Sequence, residues 1–249
     1  MSKTIAIMNH KGGVGKTTSV ASLGAALSAM GKRVLLVDLD AQSNLTSSLY
    51  SGRPTATIYT ALTERVALPI LELKENLHLT PSALEMAGVE LELANAKGRE
   101  SILRDLLTPV ADRYDYIIID CPPSLGLISV NAILAASEIY VPMTAEALPY
   151  KGLEMINYFL DMARQTLNKD TEISGIIITR YAGRNLNKLV AEDIRAHYGD
   201  KVFQTMIREN ITIAEAPLAQ EDIFSYSPKS NAATDYQKLA EEIVARENK

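Results

Sequence analysis

Cysteine occurs once in the 249 residues, at Cys121, which excludes a disulfide framework and any all-cysteine zinc site. Histidine is nearly as scarce, and His10, His78 and His197 are too scattered to suggest a metal cluster. Cations are outnumbered: 25 Lys+Arg against 30 Asp+Glu give a net charge of −5. A globally basic nucleic-acid coat is thereby ruled out, so any DNA contact must come from a local patch. Long hydrophobic runs are missing too. The apolar run at residues 5–8 stops at Asn9 and Lys11, too soon for a secretory signal. The longest charge-free stretch, 121–137, carries Pro122, Pro123, Ser124, Ser129 and Asn131 and is too short and too polar to span a membrane. No low-complexity segment, long linker or internal repeat interrupts the chain. The composition predicts a soluble, cytoplasmic, globular protein with ample apolar content for a full core.

What is present is a regular alternation. Short apolar runs at residues 4–9, 33–38, 77–80, 116–120, 139–142 and 173–179 read as strands. Helical patterns lie near 16–30, 82–94, 98–107, 125–136, 150–166, 185–197 and 232–246, with Gly31 placed to end the first. Strands apolar on both faces and separated by helices imply an α/β fold: one domain over 1–249, a mostly parallel sheet, helices on both faces. Ligands of such sheets bind beyond the carboxyl ends of the strands. The polar residues fall there: 10–17 follow the first strand, Asp38 and Asp40 the second, and Asp120 ends the run at 116–120.

The segment Lys11-Gly12-Gly13-Val14-Gly15-Lys16-Thr17-Thr18 joins a strand to a helix. Its glycines let the backbone fold tightly, so that successive N–H groups and the helix N-terminus face an anion. Lys16 is then placed for the β- and γ-phosphates of a nucleotide, and the Thr17 hydroxyl for Mg²⁺. The usual loop has a glycine where His10 stands, and Lys11 follows at the mouth rather than in the cradle. Asp38 and Asp40 alternate onto one side of their strand. Two such carboxylates without a cation are costly, and a site near Mg²⁺ and Lys16 relieves the cost. Asp120, ending a hydrophobic strand, has the second-motif geometry of phosphate-loop ATPases, in which the aspartate holds Mg²⁺, often through water. Cys121 beside it reads as core.

The stretches KGGVGKTT (11–18), VLLVDLDAQ (34–42) and YDYIIIDCPPSLG (114–126) resemble the deviant-Walker P-loop ATPases, and among them the ParA-type chromosome and plasmid partitioning proteins. Fainter similarity runs through 141–156, 211–217 and 227–230, so the resemblance covers essentially the whole chain. It implies a P-loop NTPase fold, with ATP and Mg²⁺ as cofactors. It also implies an ATP-dependent homodimer that binds nonspecific double-stranded DNA and is recycled by a ParB-like centromere-binding partner. Lys11 would act across the dimer on the partner's phosphates, as an arginine finger does. Asp40 would orient or activate the attacking water, with Asp38 supporting the metal shell or the loop. The family's proline after Asp40 is replaced by Ala41, which loosens that turn.

By the same resemblance the region 211–230 contributes to the base pocket and dimer face, and Arg208 and Asn210 match a nucleotide-binding family segment in which Ile207 replaces the usual proline. Glu146 would face the ribose or the partner subunit. Arg184 falls at a DNA-contacting position, with Arg180 and Lys188 beside it, and Lys201, Arg208 and Lys229 able to extend the patch. Ordinary charge pairs to Glu192 and Asp193 are the bland alternative for these cations. The phosphate loop begins so early that a preceding helix-turn-helix is not expected, which matches the family's short, nucleoid-associated class. The competing assignment is a MinD-type membrane-positioning ATPase. It needs a basic amphipathic C-terminal helix, whereas residues 231–249 carry a net −1 and an apolar stripe suited to docking on the sheet. The single cysteine argues against the iron–sulfur relatives.

Overall fold

The computed structural model describes residues 2–145, 150–167 and 169–247. Strand β1 (Lys3–Ile7) leads through the glycine loop into helix α1 (Lys16–Ala29), which ends at Gly31 in the left-handed conformation, φ +79°. Next come β2 (Val34–Asp38), the short helices α2 (Asn44–Leu49) and α3 (Ile58–Glu64), and a hairpin of β3 (Leu71–Lys74) and β4 (Leu77–Thr80). Helices α4 (Val89–Glu92) and α5 (Ile102–Leu107) precede β5 (Tyr116–Asp120), α6 (Leu127–Ala135) and β6 (Glu138–Thr144). The chain continues with α7 (Tyr150–Leu167), β7 (Ile173–Thr179) and α8 (Asn185–Tyr198). Two single-turn helices, α9 (Thr212–Glu215) and α10 (Ile223–Tyr226), lead to α11 (Asn231–Glu247).

The strands form one sheet in the order β3-β4-β2-β5-β1-β6-β7, parallel except for the edge strand β3. Alternation along each strand builds two cores. Ile5, Ile7, Val34, Leu36, Tyr116 and Ile118 face α1 and α11. Leu35, Val37, Ile117, Ile119, Val141 and Ile178 face the layer holding α3, α5, α6, α7 and α8. The expected α/β fold with both sheet faces covered is what forms. Helix α11 buries Ala233, Tyr236, Leu239, Ala240 and Ile243, the stripe expected to dock.

Three local expectations are corrected. The helix expected over 82–94 is a 3₁₀ turn (Leu84–Gly88) and the one-turn α4, because Gly88 interrupts it. Strand β3 was not anticipated: its pattern is weak, and it forms by pairing antiparallel with β4. Helices α2 and α3 were also missed, being only 6 and 7 residues long.

Candidate active site

The pairing register brings the chemistry together. Asp38 and Asp120 are direct partners at the carboxyl ends of β2 and β5, and Asp120 also pairs with Ile7, the last residue of β1. The glycine loop springs from that same end. Gly13 and Gly15 adopt φ of +73° and +89°, which only glycine enters without strain. Thr179, ending β7, donates its hydroxyl to the Val14 carbonyl at 2.8 Å and stands 3.2 Å from the Met143 carbonyl, pinning the loop to the sheet. Asn9 accepts from the Lys11 backbone N–H at 3.0 Å and donates to the Pro142 carbonyl at 2.8 Å, fixing where the loop starts.

A cavity of about 700 Å³ opens over this loop, a normal size for a nucleotide-scale ligand. Gly12, Gly13, Gly15, Lys16, Thr17, Thr18 and Asp40 line it at one end. Val14 is buried behind the loop and lends its carbonyl to Thr179. Lys11 is exposed and outside the lining; its carbonyl is 3.5 Å from Lys16 Nζ. Lys16 is buried. Desolvation lowers its pKa, while Asp120, Cys121 and Asp40 favour its charged form.

The carboxylates divide by environment. Both oxygens of Asp120 are sealed from solvent, and the neighbouring Thr17 hydroxyl falls short of a full hydrogen bond to them. Burial, then the neighbouring Asp38, push its pKa well above the ordinary value, outweighing the pull of Thr17 and Lys16. A sealed, unsatisfied carboxylate beside a hydroxyl-lined cavity is a hard oxygen donor set, and that fits Mg²⁺. Asp38 does not line the cavity. It accepts from the Thr46 N–H at 2.9 Å, the Thr46 hydroxyl at 2.7 Å and the Asp40 N–H at 3.1 Å. Burial still raises its carboxyl to about 6 against those donors. Of the two roles expected for Asp38, the loop role is the one the geometry fits. Asp40 lines the cavity, with one oxygen accepting from the Gln42 N–H at 3.0 Å. Cys121 is fully buried, and burial raises its thiol pKa, as a core cysteine requires.

Arg208 and Asn210 stand beside the cavity-lining Ile207 but do not themselves line the cavity. The Arg208 guanidinium is engaged with Asp235 of α11 at 2.6 Å, and Asn210 Oδ1 turns back to accept from the Thr212 N–H and hydroxyl. Ile207, Ile213, Pro217 and Leu218 line the cavity's other end, with Ser47, Ser48 and Leu49 of α2 opposite. Ile213, Pro217 and Leu218 fall in the region 211–230 that the resemblance places at the base pocket, whereas no motif marks the α2 residues opposite. Glu146 lies outside the described residues.

The cations expected to form a basic patch stand in different environments. Arg184 immediately precedes α8 and Lys188 lies one turn on; both are exposed, and neither is held in an ion pair among the described residues. Arg180, in the left-handed conformation at φ +49°, stands 3.7 Å from Glu209. Lys201 pairs with Glu172 at 2.8 Å and Arg208 with Asp235 at 2.6 Å. Lys229 is exposed in the turn before α11.

Loop, cavity and strand-end carboxylates together define a P-loop nucleotide site on a mostly parallel α/β sheet. The AAA domain family model matches residues 2–173. The sporulation initiation inhibitor protein Soj of Bacillus subtilis is 40% identical, over 98% of this chain and 99% of that protein. The chromosome partitioning protein ParA of Caulobacter vibrioides is 39% identical, over 98% of this chain and 95% of that protein. Among solved structures, cobyrinic acid a,c-diamide synthase from Mycobacterium smegmatis, with bound ATP analogue and magnesium, superposes with a TM-score of 0.84 at 32% identity. That match covers 98% of this chain and 95% of the synthase chain. The chain belongs to the ParA/Soj/MinD family of deviant Walker A P-loop ATPases.

Proposed function

We propose that the protein is an ATP-dependent DNA-partitioning ATPase of the ParA/Soj type, whose Mg-ATP-bound dimer holds nonspecific DNA. The observation that carries this reading is the common edge of the sheet. The phosphate loop, Asp40 and Asp120 stand at the carboxyl ends of the strands, and Arg180, Arg184 and Lys188 follow β7 at that same edge. Lys16 and the loop N–H groups bind the β- and γ-phosphates; Thr17 and Asp120 would hold Mg²⁺. Bound Mg²⁺ supplies charge neutralisation at the phosphates. Asp40, on the cavity wall, orients or activates the attacking water. Lys11, at the mouth, serves the phosphates of a facing subunit, where a cation delivered in trans neutralises transition-state charge.

ATP thus controls DNA affinity through dimer formation. One patch of about three cations is weak on a protein of net charge −5, and pairing two patches on one duplex doubles the phosphate contacts. A ParB-like partner that stimulates hydrolysis releases the dimer, and the protein works on the nucleoid. Among the described residues no helix is long and apolar enough to cross a membrane. Helix α11 spends its apolar stripe on the core, which disfavours the membrane-positioning alternative. Co-sedimentation with DNA and with anionic liposomes, each with ATP, ADP and no nucleotide, tests the assignment. Pelleting with DNA in ATP alone is expected; pelleting only with liposomes overturns it.

A further inference from the structure

The turn that carries Asp40 lacks its family's proline, yet a buried hydroxyl relay holds it. Asp38, fully buried at the end of β2, accepts the Thr46 hydroxyl at 2.7 Å. That same hydroxyl oxygen accepts from the Ser82 N–H at 2.9 Å. The Ser82 hydroxyl in turn donates to the Asp40 carbonyl at 2.8 Å. The Asp40 N–H closes the ring by donating to Asp38 at 3.1 Å. Thr46 and Ser82 are 6% and 3% exposed, so water does not compete for these bonds. The ring ties three segments distant in sequence: the end of β2, helix α2, and the loop after β4. It grips the backbone of Asp40 on both sides of its Cα, through N–H and carbonyl, and leaves the carboxylate on the cavity wall.

We propose that Thr46 and Ser82 are positioning residues for ATP hydrolysis, aiming the Asp40 carboxylate by fixing its backbone. This rests on the reading of Asp40 as the residue that handles the attacking water. Neither hydroxyl lines the wall above the phosphate loop, so neither touches the nucleotide. Ser82 acts through one hydrogen bond to the Asp40 carbonyl. Thr46 acts through Asp38 on one side and Ser82 on the other. Small displacements of a catalytic group cost rate steeply, about 100-fold for ~1 Å. Removing one strut therefore lowers kcat and leaves binding of Mg-ATP, made by the loop, as it was.

The test compares Ser82→Ala, Thr46→Val and Thr46→Ser with wild type, alone and combined with Asp40→Asn. Each protein is measured for steady-state ATP hydrolysis with Mg²⁺, for ATP affinity by equilibrium binding, and for melting temperature. Ser82→Ala and Thr46→Val are expected to lose about tenfold or more in kcat, with ATP affinity within about twofold. Thr46→Ser, which keeps the hydroxyl, is expected to restore most of the rate. In the Asp40→Asn background, Ser82→Ala is expected to lose nothing further, since the strut then has no carboxylate to aim. If Asp40→Asn is slow but Ser82→Ala and Thr46→Val turn over normally, the positioning role is overturned and Asp40 stands. If Asp40→Asn itself turns over at the wild-type rate, the reading of Asp40 falls first. A Ser82→Ala loss that persists undiminished in the Asp40→Asn background, or that appears equally in ATP affinity, assigns the relay to structure and overturns the proposal.

Discussion

Replacing Asp120 with asparagine should make the metal-free protein more stable while removing its response to Mg-ATP. Asp120 sits sealed at the end of β5, in register with Asp38, and neither of its oxygens makes a full hydrogen bond among the described residues. Burying a polar group without a hydrogen bond costs ~1–3 kcal/mol. Asparagine keeps the shape, discards the charge, and offers an amide beside the Asp38 carboxylate. At ~2–4 °C per kcal/mol for a chain of this size, the variant should melt roughly 2–12 °C higher in EDTA at pH 8. The sign follows from linkage. A carboxyl whose folded pKa lies above its unfolded value of 3.8 stabilises the fold while protonated, and that contribution is lost as pH rises through the folded pKa. The gain from Asp120→Asn should therefore shrink as the pH is lowered toward 4. Thermal melts of both proteins at pH 5 and pH 8, with EDTA and with Mg-ATP, read all of this. A variant that melts below wild type in EDTA at pH 8, or that keeps the full Mg-ATP shift, refutes the reasoning.

Lys16→Ala should abolish Mg-ATP binding; an affinity within about threefold of wild type, less than ~1 kcal/mol by calorimetry, removes the phosphate-loop role. Lys11→Ala should bind ATP and stay monomeric, so sedimentation showing a normal ATP-dependent dimer excludes action in trans. Asp222 caps α10, accepting from the Phe224 and Ser225 N–H groups, and pairs with Lys74 of β3 at 2.8 Å. Burial alone would raise its pKa; the Lys74 ammonium and the Ser225 donors override it and hold the carboxyl below 3.8. Its contribution is thus present above the unfolded pKa and lost as pH falls through the folded one. Asp222→Ala should cost about 1–2 kcal/mol in denaturant titrations at pH 7, with the gap to wild type closing below about pH 4.

What the sequence made legible was whatever a short stretch of chain determines alone. The loop at 11–18 carries its own conformation in Gly13 and Gly15, and Asp38 and Asp120 are placed by the strands they end. Their pairing side by side follows from the strand order. At the far end of the cavity the resemblance marked the region 211–230, but not which side chains reach the wall. Ile213, Pro217, Leu218 and Tyr236 converge there through the packing of α11 on α1, where the hydroxyls of Tyr236 and Ser19 meet at 3.2 Å. The engagement of Arg208 with Asp235 was not legible either, being a pairing across 27 positions that no local pattern displays. Thr46 and Ser82 were missed for the same reason: a hydroxyl gains meaning only from what the fold sets beside it.

The central claim is that ATP pairs two modest cationic patches into one DNA-binding surface running through Arg184. Its most direct test is the salt dependence of DNA affinity for wild type and Arg184→Glu, measured with ATP and with ADP. Wild type with ATP should show a log–log slope of about −5, for six phosphates at −0.9 each, with little sequence preference and no measurable binding in ADP. Arg184→Glu should bind ATP, dimerise, and lose the DNA at about 0.1 M salt. Equal DNA affinity in ATP and ADP, or an Arg184→Glu protein with the wild-type slope, would contradict the account.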